Sequence, residues 1–313
     1  MLKGSLEERI ETLLKNSGYV TARYHGCFDI VAKRKQMLLI KVLKNVDAFS
    51  EEHSENLRLV ASNLGASPLV VGDQTRLDRL RNGVVYERYG VPSVNFQTFQ
   101  RLIDEGIMPN IYSDRGGLYV NIDSDSLRQA RGEKHITQRE LAEMVGVNKK
   151  VIYEHEKHQI RMMLEIAEKL EKILHKKLVK EADVLGSEMK SEITKPKDSL
   201  ERGVGRKLKD IGFSIGYVQS APFDILAKDS MTAQSATKEK TLVISDVESD
   251  KRRMVRRIHA LKEFVTLTNK PAVVITEKYA SHALEGVPVI NRAELEELDN
   301  SKELISIAKR VKK

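Results

Sequence analysis

In the opening segment apolar residues recur at Leu6, Ile10, Leu13 and Leu14, the spacing of one helical face. Ser5 followed by Glu8 supplies a capping box at its start, and Gly18 offers the left-handed residue that ends it. Two short apolar runs follow, CFDIVAK and MLLIKVL, then amphipathic spacing over residues 51–63, a buried strand at 69–71 and the segment GVPSVNFQTFQRL. The pattern then returns. SLERGVGRKLKDIGF, PFDILAK, TLVISDV, PAVVIT and GVPVINRAELEEL repeat the first series in order, with Gly212 in the place of Gly18. Each copy predicts an α/β (α+β) module of about a hundred residues with helices on a mixed sheet, at residues 1–113 and 197–313.

The second copy's long helix, over residues 251–265, places Met254, Ile258, Leu261 and Val265 toward the sheet. That leaves Arg252, Arg256 and His259 on the outer face and Arg253 and Arg257 along one flank. The corresponding helix of the first copy carries Glu51, Glu52 and Glu55 instead.

Between the copies, residues 123–185 show helical spacing and no strand character. Polar stretches at 113–117 (SDRGG) and 183–197 (DVLGSEMKSEITKPK) read as linkers on either side. Thr137 with Glu140 caps a helix whose apolar face is Leu141, Ala142 and Val145. Gly146 permits a tight turn, Val147 fills it, and Asn148 caps the next helix. This is a helix-turn-helix in an all-α domain, in which the first helix braces the backbone and the second enters the major groove.

The stretch TQRELAEMVGVNKKVIYEHE resembles the Cro and phage-repressor class of helix-turn-helix, matching at Thr137, Gln138, Leu141, Ala142, Gly146, Val147, Ile152 and Glu156. The resemblance implies double-stranded DNA as partner, with Gln138 on a phosphate, Asn148 at the DNA-facing head of the second helix, and Lys149, Lys150 and Glu154 facing base edges. It also implies a structural ion pair between Arg131 and Glu156 and a buried Ile152. The class usually has glycine where this chain has His158, so the exit turn is expected to differ. Lys149 and Lys150 oppose the positive end of their own helix, which favours a DNA role over the alternative of a helical protein-binding module. His135, His155 and His158 lack partners at metal-ligand spacing and read as ordinary polar residues.

Composition narrows the setting. A net charge of +8, in a chain 31% charged, leans toward a polyanionic partner. The lone Cys27 excludes an internal disulfide framework and a cysteine zinc site, and no apolar run approaches the roughly 20 residues needed to span a bilayer. The expectation is a soluble cytoplasmic protein without cofactor or membrane contact.

GCFDIVAKRKQMLLIKVLKN, residues 26–45, and its repeat resemble the PD-(D/E)xK nuclease superfamily, in the style of archaeal junction-resolving enzymes. That resemblance implies an acid opening one strand and an acid-x-lysine triplet on the next, together holding a divalent metal and activating water. Asp29 and Asp224 take the first position, but the triplet is missing. The two available registers pair Lys41 with Leu43 or Leu39 with Lys41 in the first copy, and Ser245 with Val247 or Val243 with Ser245 in the second. Asp246 is then expected on the opposite face of its strand. The modules are therefore expected to have no catalytic residues and no metal, with Asp29 and Asp224 capping backbone amides.

The order of domains, 1–113, 123–185 and 197–313, resembles an archaeal family of helix-turn-helix transcriptional regulators. The reading is a sequence-specific DNA-binding regulator that is not an enzyme and acts as a homodimer, with Arg252, Arg253, Arg256 and Arg257 on DNA phosphates. Two alternatives stay open: a metal-dependent DNA endonuclease using Asp29 or Asp224, and an adaptor that binds the basal transcription machinery.

Overall fold

The computed structural model describes residues 4–186, 195–230, 241–248, 250–277 and 282–310. Of the stretch expected to link the helical segment to the second copy, residues 187–194 lie outside the described residues. The first copy runs α1 (Leu6–Asn16), β1 (Val20–Arg23), β2 (Ile30–Lys33), β3 (Met37–Asn45), α2 (Glu51–Leu64), β4 (Ser67–Gln74), β5 (Val84–Arg88), β6 (Val91–Val94) and α3 (Phe96–Asp104). The middle comprises β7 (Ile111–Asp114), β8 (Gly117–Ile122), α4 (Ser124–Glu133), α5 (Gln138–Val145), α6 (Lys149–Lys157), β9 (Met162–Met163), α7 (Leu164–Leu174) and β10 (Val179–Lys180). The second copy repeats the first element for element: α8 (Ser199–Asp210), β11 (Phe213–Tyr217), β12 (Ile225–Asp229), β13 (Leu242–Val247), α9 (Lys251–Thr268), β14 (Ala272–Thr276), β15 (Ala283–Leu284), β16 (Val287–Asn291) and α10 (Arg292–Glu296). It closes with α11 (Ser301–Ala308).

Local chemistry sets these boundaries. The Glu8 N–H donates to Ser5 Oγ while Glu8 Oε2 accepts from the Ser5 N–H at 2.8 Å, which completes the capping box of α1. Gly18 and Gly212 follow the opening helices with φ of +80° and +102°, a region that a side chain would strain.

By its contacts the chain forms two compact units, residues 1–42, 49–69 and 185–313 in one and residues 43–48 and 70–184 in the other. The first copy is thus shared between them, whereas the second lies wholly in the first unit. That first unit contains the antiparallel strands β1-β2-β3 and a six-stranded sheet ordered β11-β12-β13-β14-β16-β15, parallel across β13, β14 and β16.

Each long helix also packs against strands of the other copy. Helix α9 packs on β1 and β2, and α2 packs on β12. The stripe Met254, Ile258, Leu261 and Val265 is buried, and Phe264 joins it with ring centroids 5.7 Å from Tyr24, 5.9 Å from Phe28 and 4.9 Å from Phe223. Fully burying one such ring contributes about 1.5–3 kcal/mol, so this four-ring cluster, drawn from both copies, is a main source of their cohesion. Backbone meets backbone beside it: the Cys27 N–H donates to Ser220 O at 2.7 Å, and a Cβ on Gly26 would stand 1.8 Å from that oxygen. Only glycine allows the approach.

The second unit carries strands in the order β4-β6-β5-β7-β8-β10, with β9 also paired to β8. Residues 113–117, expected as a linker, instead form the turn of hairpin β7–β8, with Gly116 at φ +95° and Gly117 at +152°. Residues 162–163 and 179–180, in the segment expected to be helical, add short strands to β8. Two-residue strands are too short to carry a period, so spacing could not show them. The helical residues Leu127, Leu141, Val145, Ile152, Ala167 and Leu170 close one apolar core with Val120 and Ile122 of β8.

Candidate nucleic-acid interface and the nuclease-like sites

The helix-turn-helix is built by its caps. Thr137 and Glu140 form a capping box on α5, Gly146 ends that helix at φ +80°, and Asn148 Oδ1 accepts the Lys150 N–H at 2.8 Å. His158 leaves α6 with φ −124° and ψ 141°, an extended exit that needs no glycine.

On α6 the side chains of Ile152, His155 and Glu156 are buried, and Lys149, Lys150, Tyr153 and Lys157 are exposed. At 3.6 residues per turn those four occupy an arc of roughly 100°. Tyr153 is 41% exposed; its hydroxyl lies 3.0 Å from Lys157 Nζ, which also stands over the ring. Residue spacing did not single out Tyr153, although an aromatic four residues from both Lys149 and Lys157 is a usable signal. Glu154 lies at the margin of the arc, its side chain 35% exposed and 3.6 Å from His158.

Arg131 and Glu156 meet in a two-armed ion pair at 2.6 and 3.0 Å, and Arg131 Nη1 also donates to Ile136 O at 2.8 Å. Gln138 Nε2 donates to the same Glu156 carboxylate at 2.8 Å, so the residue expected on a phosphate is also tied to the base of α6. His155 is not an ordinary surface residue: it is 6% exposed, its Nδ1 has no hydrogen-bond partner, and burial holds its pKa below the usual histidine range.

In the nuclease-like sites the hydrogen bonds define a register that differs from the expected one. The Asp29 N–H donates to Ile40 O and the Asp224 N–H to Ser245 O, so Lys41 corresponds to Asp246 and Leu43 to Glu248. Asp246 therefore faces Asp224 rather than the opposite side of β13. Every residue of that strand is buried, so no alternation marks its faces in the sequence. Asp29 Oδ2 accepts the Val42 N–H at 2.7 Å, and Asp224 Oδ2 the Val247 N–H at 2.9 Å. Both aspartates thus cap the neighbouring strand.

Each aspartate also holds a cation from the chain itself. Lys41 Nζ lies 2.9 Å from Asp29 Oδ1 and donates to Gly26 O at 2.6 Å. Arg257, expected on the flank of α9, instead turns inward: Nη2 lies 3.0 Å from Asp224 Oδ1 and 3.0 Å from Asp246 Oδ1, and Nη1 3.1 Å from Asp224 Oδ2. A long side chain with two buried acidic groups in reach follows them rather than its position on the helical wheel. Arg252, Arg253 and Arg256 are exposed.

These residues do not fit a divalent metal. An ammonium or guanidinium already sits against each first-position aspartate, and among the described residues no group of three or more His, Cys, Asp or Glu is placed to hold an ion. Asp246 is fully buried, with Arg257 against Oδ1. Burial holds its carboxyl well above the usual carboxylate range; Arg257 opposes that shift and the Asp224 charge adds to it. The folded chain then keeps a proton that the unfolded chain releases above about pH 4. Stability from Asp246 is present at low pH and is lost as pH rises toward the folded-state value. Asp246→Asn is expected to match the parent near pH 4 and to gain on it as pH rises above that in urea titrations. A stability difference independent of pH would mean that the carboxyl is ionised throughout.

A helix-turn-helix protein carrying duplicated nuclease-like modules is the class that this fold and these sites define. Residues 3–109 match the family described as PD-(D/E)XK superfamily domain, and residues 127–180 match the helix-turn-helix family. Relatives bearing the name "Putative HTH-type transcriptional regulatory protein" align along nearly the whole chain. The one from Thermococcus kodakarensis is 31% identical over 100% of this chain and 98% of its own length. Those from Pyrococcus horikoshii and Methanothermobacter thermautotrophicus are each 32% identical, over 100% and 95% of this chain and 99% and 93% of their own. The chain belongs to this archaeal family. No solved structure matches it. No helix among the described residues is long and apolar enough to cross a membrane.

Proposed function

We propose that the chain is a cytoplasmic transcriptional regulator that reads double-stranded DNA by seating α6 in the major groove, needs no cofactor and catalyses no reaction. The observation that carries this reading is the solvated arc of Lys149, Lys150 and Tyr153 at the head of a helix whose other face is buried. Lysines there donate to guanine O6 and N7, and the Tyr153 ring contacts a thymine methyl. Asn148 fixes the first turn, and Glu154 accepts from a cytosine amine at the edge of the contact. Gln138 spends one amide hydrogen on Glu156 and keeps the other for a phosphate. One such domain reads a half-site, so the working species is a homodimer. The names of the family's members support the regulatory role.

Selection from a random duplex library tests the reading. One enriched sequence, bound at least about 10³-fold tighter than random DNA at physiological salt, is expected; equal binding of all duplexes would contradict it.

Arg252, Arg253 and Arg256, exposed on α9, add phosphate contacts that carry no sequence information. Changing all three to glutamine is expected to weaken cognate and random duplexes alike and to flatten the log-log salt slope by about 0.9 for each phosphate that is no longer neutralised. An unchanged slope in a folded variant would assign this face to another partner.

A further inference from the structure

The two nuclease-like sites share a feature that their sequences conceal. Lys41 Nζ bonds Asp29 and the carbonyl of Gly26; Arg257 Nη2 bonds Asp224 and, at 3.3 Å, the carbonyl of Ala221. Gly26 and Ala221 each stand three residues before the aspartate, so the acceptors are the same pair in both copies. The charge reaches that point from different elements. In the first copy it comes from β3, and Leu57 of α2 is a fully buried apolar residue. In the second it comes from α9, and the β13 position that corresponds to Lys41 holds Asp246. Leu57 and Arg257 occupy equivalent places, each seven residues beyond the N-cap of its helix, Ser50 or Asp250.

We propose that each module keeps one fixed cation slot, formed by the first-position aspartate and the carbonyl three residues before it, and that a side chain of this protein fills it permanently. Lys41 fills the first slot and Arg257 the second. The slot has become a structural joint between β2 and β3 in the first copy and among β12, β13 and α9 in the second. The second joint retains one carboxyl group more than the first, because the strand position that supplies the cation in one copy supplies an acid in the other. Removing the guanidinium therefore strands two buried carboxyl groups. Moving the charge back to the strand should repair the joint, because it recreates the arrangement of the first copy.

The test compares the full-length chain with Arg257→Leu and with Arg257→Leu/Asp246→Lys by thermal unfolding, each with and without Mn²⁺. Arg257→Leu is expected to lower Tm by about 10 °C or to leave the chain unfolded. The double variant, which also installs the first copy's leucine and lysine, is expected to return to within about 3 °C of the parent. Mn²⁺ is expected to leave the parent unchanged, because its slots are full. A double variant no more stable than the single one would overturn the shared slot, even if both fail to fold. Stabilisation of the parent by Mn²⁺ that disappears in Asp29→Asn or Asp224→Asn would overturn the permanent filling.

Discussion

Replacing Lys149 and Lys150 together with alanine is expected to abolish sequence-specific DNA binding while leaving most nonspecific affinity in place. Both side chains are exposed at the first turn of α6, and no hydrogen bond or ion pair engages either side chain among the described residues, so truncation removes no internal support. Each base contact discriminates by about 1–3 kcal/mol, so two contacts place the loss on the selected duplex between roughly 30-fold and 10⁴-fold. Random duplex, held through phosphates, should weaken far less, and its salt slope should fall by no more than about 0.9 per lysine. Equal losses on both duplexes would show that the lysines touch only phosphate. No loss on either would turn attention to a protein partner such as the basal transcription machinery.

The second large effect is structural. Glu156 is 5% exposed and accepts from Arg131 twice and from Gln138 once, which joins α4, the bracing helix α5 and the recognition helix α6 at one carboxylate. Glu156→Ala strands the Arg131 guanidinium in a partly buried position, and such losses cost about 3–5 kcal/mol. Amide hydrogen exchange in α5 and α6 reads this within the unit and does not require the whole chain to unfold as one. Arg131→Ala/Glu156→Ala should cost clearly less than the two single changes summed, because neither charge is then left alone. A cost below about 1 kcal/mol for Glu156→Ala would mean that water satisfies the pair as well as the fold does.

Much of this architecture is legible from residue spacing. The repeat, the caps at Thr137 and Asn148, the turn at Gly146 and the buried stripe of α9 all rest on short-range rules that a single chain displays. The nuclease-like sites are harder. Strand β13 is buried along its full length, so hydrophobicity does not say which of Ser245 and Asp246 faces Asp224; only the backbone pairing does. Arg257 falls on a flank by helical periodicity because that periodicity locates Cα atoms, whereas its guanidinium reaches Asp224 across the packing of α9 on the sheet. Tyr153 escapes a reading led by charge, since its neighbours Lys149 and Lys150 carry the charge and its own ring does not.

The register also identifies what stands at the positions of the nuclease triplet. The position corresponding to the triplet's acid holds Lys41 in one copy and Asp246 in the other, and the position corresponding to its lysine holds Leu43 and Glu248. Neither copy contains the lysine, and both first-position aspartates are committed to a strand amide and an internal cation.

Chromosomal occupancy mapping of the parent and of Lys149→Ala/Lys150→Ala, at equal protein levels, tests the central claim most directly. The parent should occupy a limited set of sites that share one sequence, and the variant should lose them while keeping weak, uniform background binding. Uniform occupancy by the parent, or discrete sites that survive in the variant, would contradict recognition of DNA by the first turn of α6.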